Sequence, residues 1–169
     1  STGIFLRELS EVYAALLGAD VITLPEPEIA YGDYALWQRA HLNDDNQLAL
    51  FNYWQKALSG YEQLHIPLDH SRPVMMDYRG RDHAFELDEN LSAQLRLLAK
   101  TQQTTLYTVL LSGFYVTLYT LTGQTDLLIG TPSDNRSHAQ TQSLIGFFVN
   151  ILPLRAYLDS STHISELIA

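Results

Sequence analysis

Residues Leu106 to Leu121 place apolar side chains on nearly every face of a helix. Thr105 offers a cap at its start and Gly123 a stop at its end. A helix apolar all round has to be covered on several sides, so this segment is expected to be buried between other layers. Its neighbours say what those layers are. His83 to Leu87 alternates and predicts a strand. Asp88 is placed to cap a helix from Glu89 to Gln102, with Leu91, Leu95 and Leu98 facing inward. Beyond the apolar helix, Asp126 to Thr131 predicts a short strand built on Leu127, Leu128 and Ile129, and Ile145 to Leu154 predicts a second, longer one. Strand, helix, helix, strand and strand in that order predict an α/β or α+β layered fold.

The N-terminal half reads as helices joined by proline-containing connections. Ile4 to Leu17 brings Phe5, Leu9, Val12, Tyr13, Leu16 and Leu17 to one helical face, with Ser1 or Thr2 as cap and Gly18 as terminator. Ala19 to Glu28 holds Pro25 and Pro27 and predicts a loop or linker. Tyr31 to Leu42 and Gln47 to Leu58 predict two more helices, the first with Tyr34, Trp37 and His41 on one face. Leu64 to Asp77, with Pro67 and Pro73, is a second extended connection. Pro132 to Ser143 is a polar loop, and Thr162 is placed to cap a final helix that begins at Ile164.

Composition narrows the function. With 46% hydrophobic and 17% charged residues, the chain can bury a core. A net charge of −9 argues against a nucleic-acid partner, because phosphate binding needs a basic surface. The absence of cysteine excludes disulfides and thiolate chemistry. No apolar run reaches the roughly 18 residues of a membrane span, and no signal peptide is present, so a cytoplasmic location with no membrane partner is expected. Two sequons, at Asn90 and Asn135, read as chance matches without a secretory signal. The first residue is Ser1 and the last helical pattern has barely begun, which reads as an internal piece of a longer protein.

Most familiar chemistries are missing. There is no glycine-rich phosphate loop and no G-x-S-x-G elbow. The six histidines, His41, His65, His70, His83, His138 and His163, do not fall at metal-ligand spacing. No metal site is expected. The loop with Ser133, Asp134, Asn135 and Arg136 follows a strand; it is either a surface turn bonded to its own backbone or a wall of a cleft. Asn150 and Arg155 are unusual in a strand, and each should have partners, a carboxylate in the case of Arg155. Tyr34 and Trp37 either pack locally or face a ligand.

Taken in series, these segments carry a resemblance. Tyr31-Gly32-Asp33-Tyr34-Ala35-Leu36-Trp37 resembles the Y-x-D-Y-A-x-W motif of condensation domains of nonribosomal peptide synthetases. Tyr53-Trp54 with Leu58 and Gly60 is similar to the family's following helix, and Pro67-Leu68-Asp69-His70-Ser71-Arg72-Pro73 to its connector. Arg79-Gly80 with Phe85 and Leu87 resembles a family strand. Thr122-Gly123-Gln124-Thr125-Asp126, Gly130, Pro132 and Arg136 resemble T-G-Q-x-D-x-x-x-G-x-P-x-x-x-R, and Ile145 to Arg155 resembles I-G-x-F-V-N-x-x-x-x-R. Ile151 stands where the family often has Thr, and Pro153 removes a ladder donor.

The resemblance implies a two-lobed fold like chloramphenicol acetyltransferase, with a tunnel between α/β lobes. It implies an acyltransferase that forms an amide between a donor thioester and an acceptor amine. Both are presented on phosphopantetheine arms by upstream and downstream peptidyl carrier proteins, in an assembly line with an adenylation domain, for secondary metabolism. No cofactor is bound directly. The family's catalytic H-H-x-x-x-D-G would lie just before Ser1, so no catalytic residue is expected within the chain. Tyr34, Trp37, Ser133, Arg136, Asn150 and Arg155 become tunnel or structural candidates. Residues 1–22 would close the first lobe and 23–169 would open the second, with a crossover within 64–78 as the alternative. Retention of Phe148-Val149-Asn150 points to a condensing rather than an epimerising relative. Another acyltransferase of the same fold, or a non-catalytic docking module for carrier proteins, are the alternatives.

Overall fold

The computed structural model describes residues 1–18 and 21–168, apart from the side chain of Asp44. Six helices and two strands follow one another among them: α1 (Thr2–Gly18), α2 (Tyr31–His41), α3 (Asp44–Ala57), α4 (Glu89–Thr101), α5 (Leu106–Thr122), β1 (Asp126–Ser133), β2 (Asn150–Tyr157) and α6 (Ile164–Ile168), with a 3-10 turn at Ala139–Thr141. The strands form a two-stranded sheet. Residues divide into two compact units, Ser1–Ser59 with Gly130–Leu152, and Gly60–Ile129 with Pro153–Ala169.

Local chemistry explains the helix ends. Asp88 Oδ1 accepts from Leu91 N–H at 2.8 Å and starts α4. Thr105 Oγ1 accepts from Thr108 N–H at 3.1 Å and starts α5. Gly123, at φ +68°, takes the left-handed conformation that ends α5 with its N–H on Tyr119 O, a geometry costly for any residue with a Cβ. The start of α3 falls three residues earlier than the apolar period predicts, because Asn43 accepts from Asn46 N–H and supplies the cap. The predicted Ala19–Glu28 loop is borne out for residues 21–28; Ala19 and Asp20 lie outside the described residues.

In the second unit, Tyr115, Leu118, Leu127 and Leu158 form the core, with Leu111, Ile129, Ala156 and Leu167 packed against it. Ala99, Val109 and Ile168 make a second cluster where α4 and α6 meet α5. Leu158 N–H donates to Thr125 O at 2.8 Å, and Arg155 of β2 reaches Asp126 of β1, the opposed order expected of an antiparallel pair. The Tyr115 hydroxyl donates to Leu154 O at 2.9 Å; burial, with the Tyr107 charge behind it, pushes its pKa up to about 12.

Several expectations are corrected. His83–Leu87 is not a strand: Phe85 is 75% exposed, and among the described residues no strand pairs with this segment. α5 is buried on one face only, through Val109, Ser112, Tyr115 and Leu118, while Leu110, Phe114 and Leu121 are exposed. Leu91 of α4 is exposed as well; Leu95 and Leu98 turn inward as predicted. The second strand begins at Asn150, not Ile145, and runs on to Tyr157. Thr162 does not cap α6; its Oγ1 accepts from Asp159 N–H at 2.9 Å, and the Glu166 carboxylate reaches back to His163 N–H instead.

Candidate functional site

The first unit is organised around one aromatic cluster. Tyr34, Leu144 and Phe148 are buried together with Ile29 beside them. Helix α2 presents Tyr31, Tyr34 and Trp37 at spacings of three, so one helix face supplies all three rings. Asp33 holds the start of that helix by accepting from Ala30 N–H at 2.8 Å. The Tyr34 ring lies 4.8 Å from Phe148 and 5.8 Å from Trp37. Tyr31 meets Phe148 edge-on at 5.2 Å.

The hydroxyls of Tyr31 and Ser1 hold backbone groups beside this cluster. The Tyr31 hydroxyl donates to Phe147 O at 2.8 Å. Ser1 Oγ donates to Gly146 O at 2.8 Å and accepts from Gly146 N–H at 3.2 Å. These bonds occupy the groups a sheet would need at residues 146 and 147, which is why the apolar run 145–149 is not a strand. Gly146 is required for close approach: a Cβ there would fall 2.3 Å from Tyr31 Cδ2. Asn135 has φ +51°, in the left-handed region an asparagine tolerates, and donates from Nδ2 to the Tyr34 hydroxyl at 3.3 Å.

Of the sequence candidates, Tyr34, Trp37 and Arg136 come together. The Arg136 guanidinium lies 4.1 Å from the Phe148 ring centroid, donates from Nη1 to Thr141 O, and donates from Nη2 to Ser1 Oγ at 3.0 Å. Trp37 stacks on His41 at 5.0 Å and meets His138 edge-on at 4.5 Å. Beside them lies a recess of about 230 Å³ lined by Asp33, Tyr34, Trp37, His138 and Thr141. Ser133 is half-buried at the end of β1. Asn150 is exposed, and its Oδ1 accepts from Ile151 N–H at 2.9 Å, so the partner it finds is a neighbouring backbone group.

Arg155 belongs to the other unit and does pair with a carboxylate. Its Nε and Nη2 donate to Asp126 Oδ1 and Oδ2 at 2.8 and 2.6 Å, and both side chains are 13% exposed. The Arg155 hydrogen bond holds the Asp126 carboxyl below its usual pKa and raises that of the guanidinium. Sequence reasoning did not name Asp126 as the partner, although it stands in the T-G-Q-x-D segment; nor did it single out Tyr31, Asn135, Gly146 or Phe148 as a cluster. Among the described residues, no group of three or more His, Asp or Glu side chains can hold a metal ion. No single helix among them is long and apolar enough to cross a membrane.

The family model described as "Condensation domain" matches residues 1–169. The chain belongs to that family. It is 43% identical to the N-(5-amino-5-carboxypentanoyl)-L-cysteinyl-D-valine synthase of Amycolatopsis lactamdurans over 94% of its own length and 4% of the relative's. It is 41% identical to a linear gramicidin synthase of Brevibacillus parabrevis over 100% of its length and 3% of the relative's. The chain therefore spans only a few hundredths of these proteins. The first condensation domain of the CDA synthetase superposes with a TM-score of 0.76 at 19% identity, covering 98% of this chain and 36% of that one. The epimerization domain of the third module of tyrocidine synthetase B superposes at 0.81 and 18% identity, covering 98% and 38%. At these identities both show the fold alone, the chloramphenicol-acetyltransferase-like fold expected from the sequence.

Proposed function

We propose that the protein to which this condensation-domain segment belongs joins a donor acyl or aminoacyl thioester to an acceptor amine. The amine nitrogen attacks the thioester carbonyl, the C–S bond breaks, the amine loses a proton and the donor thiol is released protonated. Both partners are carried on phosphopantetheine arms of carrier proteins, alongside an adenylation domain, in the cytoplasm. The observation that carries this reading is the family match along the whole chain, with relatives named as peptide synthases at 41–43% identity.

In this reading the chain supplies wall and scaffold. Residues 1–22 close the first lobe and the following residues open the second. Tyr34, Trp37, Ser133, Arg136 and Asn150 shape the passage for the two arms, and Arg155 braces β1 against β2 through Asp126. The proton-transfer group is a histidine of an H-H-x-x-x-D-G segment that precedes Ser1, and these 169 residues as an isolated polypeptide have no condensing activity.

The test uses the longer protein with a loaded donor carrier and a loaded acceptor carrier, followed by intact-mass measurement of the acceptor. Its mass is expected to rise by that of the donor acyl group. Donor hydrolysis without transfer, or inversion of a stereocentre without mass gain, overturns the proposal; the second outcome favours the epimerising role of the tyrocidine neighbour, whose fold this chain shares.

A further inference from the structure

We propose that residues 62–65 form a strap clasped to the start of β1 by the side chains of Gln124 and Asp126, and that this strap opens on its own while the core beneath it stays folded. Gln124 Nε2 donates to Gln63 O at 3.0 Å, and Gln124 Oε1 accepts from His65 N–H at 2.7 Å. One side-chain amide thus makes the two bonds that a residue of a parallel strand would make to its neighbour. Between the two gripped groups, Leu64 packs against the core of Tyr115, Leu118, Leu127 and Leu158. The Asp126 carboxylate, paired with Arg155, also accepts from the Glu62 N–H.

The clasp is fixed on one side and loose on the other. Gln124 follows the left-handed Gly123 that ends α5, and its own N–H donates to Thr122 Oγ1 at 3.2 Å. The strap, by contrast, opens a stretch, residues 61–88, that forms neither helix nor strand, and Val74, Tyr78 and Phe85 within it are exposed. A connection of that length without secondary structure is uncommon in a compact fold, and segments with few buried contacts open at lower free energy than the core. Gln63 and His65 are exposed and Leu64 is only half-buried, so little apolar area holds the strap once the amide is gone. Its grip lies in particular polar atoms: alanine at position 124 removes both bonds, and glutamate keeps the acceptor but loses the donor. The device holds whatever reaction the longer protein catalyses.

The experiment is native-state hydrogen exchange of the longer protein, read by mass spectrometry on short peptides that contain His65 or Leu118. In the wild type, the His65 N–H is expected to exchange at least about tenfold faster than the Leu118 N–H and to respond less steeply to denaturant. Gln124→Ala is expected to speed exchange at His65 about tenfold, through the loss of two hydrogen bonds, and to leave Leu118 within about twofold. If Gln124→Ala fails to fold, Gln124→Glu decides: with the donor to Gln63 O gone, exchange at His65 is expected to rise at least about threefold. A rise of less than about threefold at His65 in the folded variant overturns the clasp. Wild-type exchange at His65 with the same rate and denaturant dependence as at Leu118, or a variant that speeds both equally, overturns the separate opening of the strap.

Discussion

In the unit built on α4, α5 and α6, Tyr115, Leu118, Leu127 and Leu158 fill a core, and the charged residues Asp126 and Arg155 neutralise each other at 2.6 Å. In the unit built on α1, α2 and α3, the buried apolar cluster is Tyr34, Leu144 and Phe148, and long-range order comes from hydroxyls and a guanidinium that grip backbone carbonyls. The first arrangement is satisfied by any side chains of suitable volume and period. The second depends on particular atoms: a serine hydroxyl, a tyrosine hydroxyl, a missing Cβ. Specific atoms tolerate fewer replacements than volumes do. The family motifs Y-x-D-Y-A-x-W and I-G-x-F-V-N draw their cluster residues from that second region.

Substitutions test this contrast. Leu127→Ala should have the largest effect on stability, about 3 kcal/mol by denaturant titration, since Leu127 is fully buried and a cavity would remain. A loss below about 1 kcal/mol would mean the second unit is not held by space-filling.

Asp126→Asn should cost about 2 kcal/mol, because it takes one charge from a nearly buried, doubly hydrogen-bonded pair. The sign of its pH dependence follows from the lowered carboxyl pKa. The pair stabilises fully above the unfolded value near 4, and the contribution is lost as pH falls through the lower folded value. The Asn variant should lack this acid limb, and an unchanged limb would break the assignment.

Gly146→Ala should cost about 1.5 kcal/mol, since the added methyl collides with the Tyr31 ring, and the bond from the Tyr31 hydroxyl to Phe147 O should weaken with it. The change should be smaller than that of Leu127→Ala but should be accompanied by altered near-ultraviolet aromatic signals. Asn150→Ala should change stability by less than about 0.5 kcal/mol, because the side chain is exposed and its bond is local. A fall in turnover of the longer protein without a fall in stability would support its place in the passage wall; unchanged turnover would remove it.

The sequence was most legible where one helix or strand decides its own fate. Asp88, Thr105 and Gly123 mark real helix ends because a cap is a contact over three or four residues. Arg155 demanded a carboxylate and has one, since a guanidinium is rarely buried alone. Legibility failed where a distant partner overrides the local pattern. Residues 145–149 have the composition of a strand, yet Ser1 and Tyr31 take the backbone groups at 146 and 147, more than a hundred residues away in sequence. Residues 83–87 alternate as a strand should, but alternation supplies no neighbour to pair with. The cluster of Tyr34, Arg136 and Phe148 was reachable only through motif resemblance, because no periodicity links residues so far apart.

The proposed reading places the proton-transfer group outside these residues, so none of the six histidines His41, His65, His70, His83, His138 and His163 is expected to serve as the base. His41 and His138 pack against Trp37, which is a structural task. The direct measurement is kcat for amide formation by the longer protein with each of them replaced in turn by Gln. Every variant is expected to stay within about threefold of wild type, whereas a general base contributes on the order of 10²–10⁴. A loss of about a hundredfold or more at any one of these positions, in a variant that remains folded, would contradict the account.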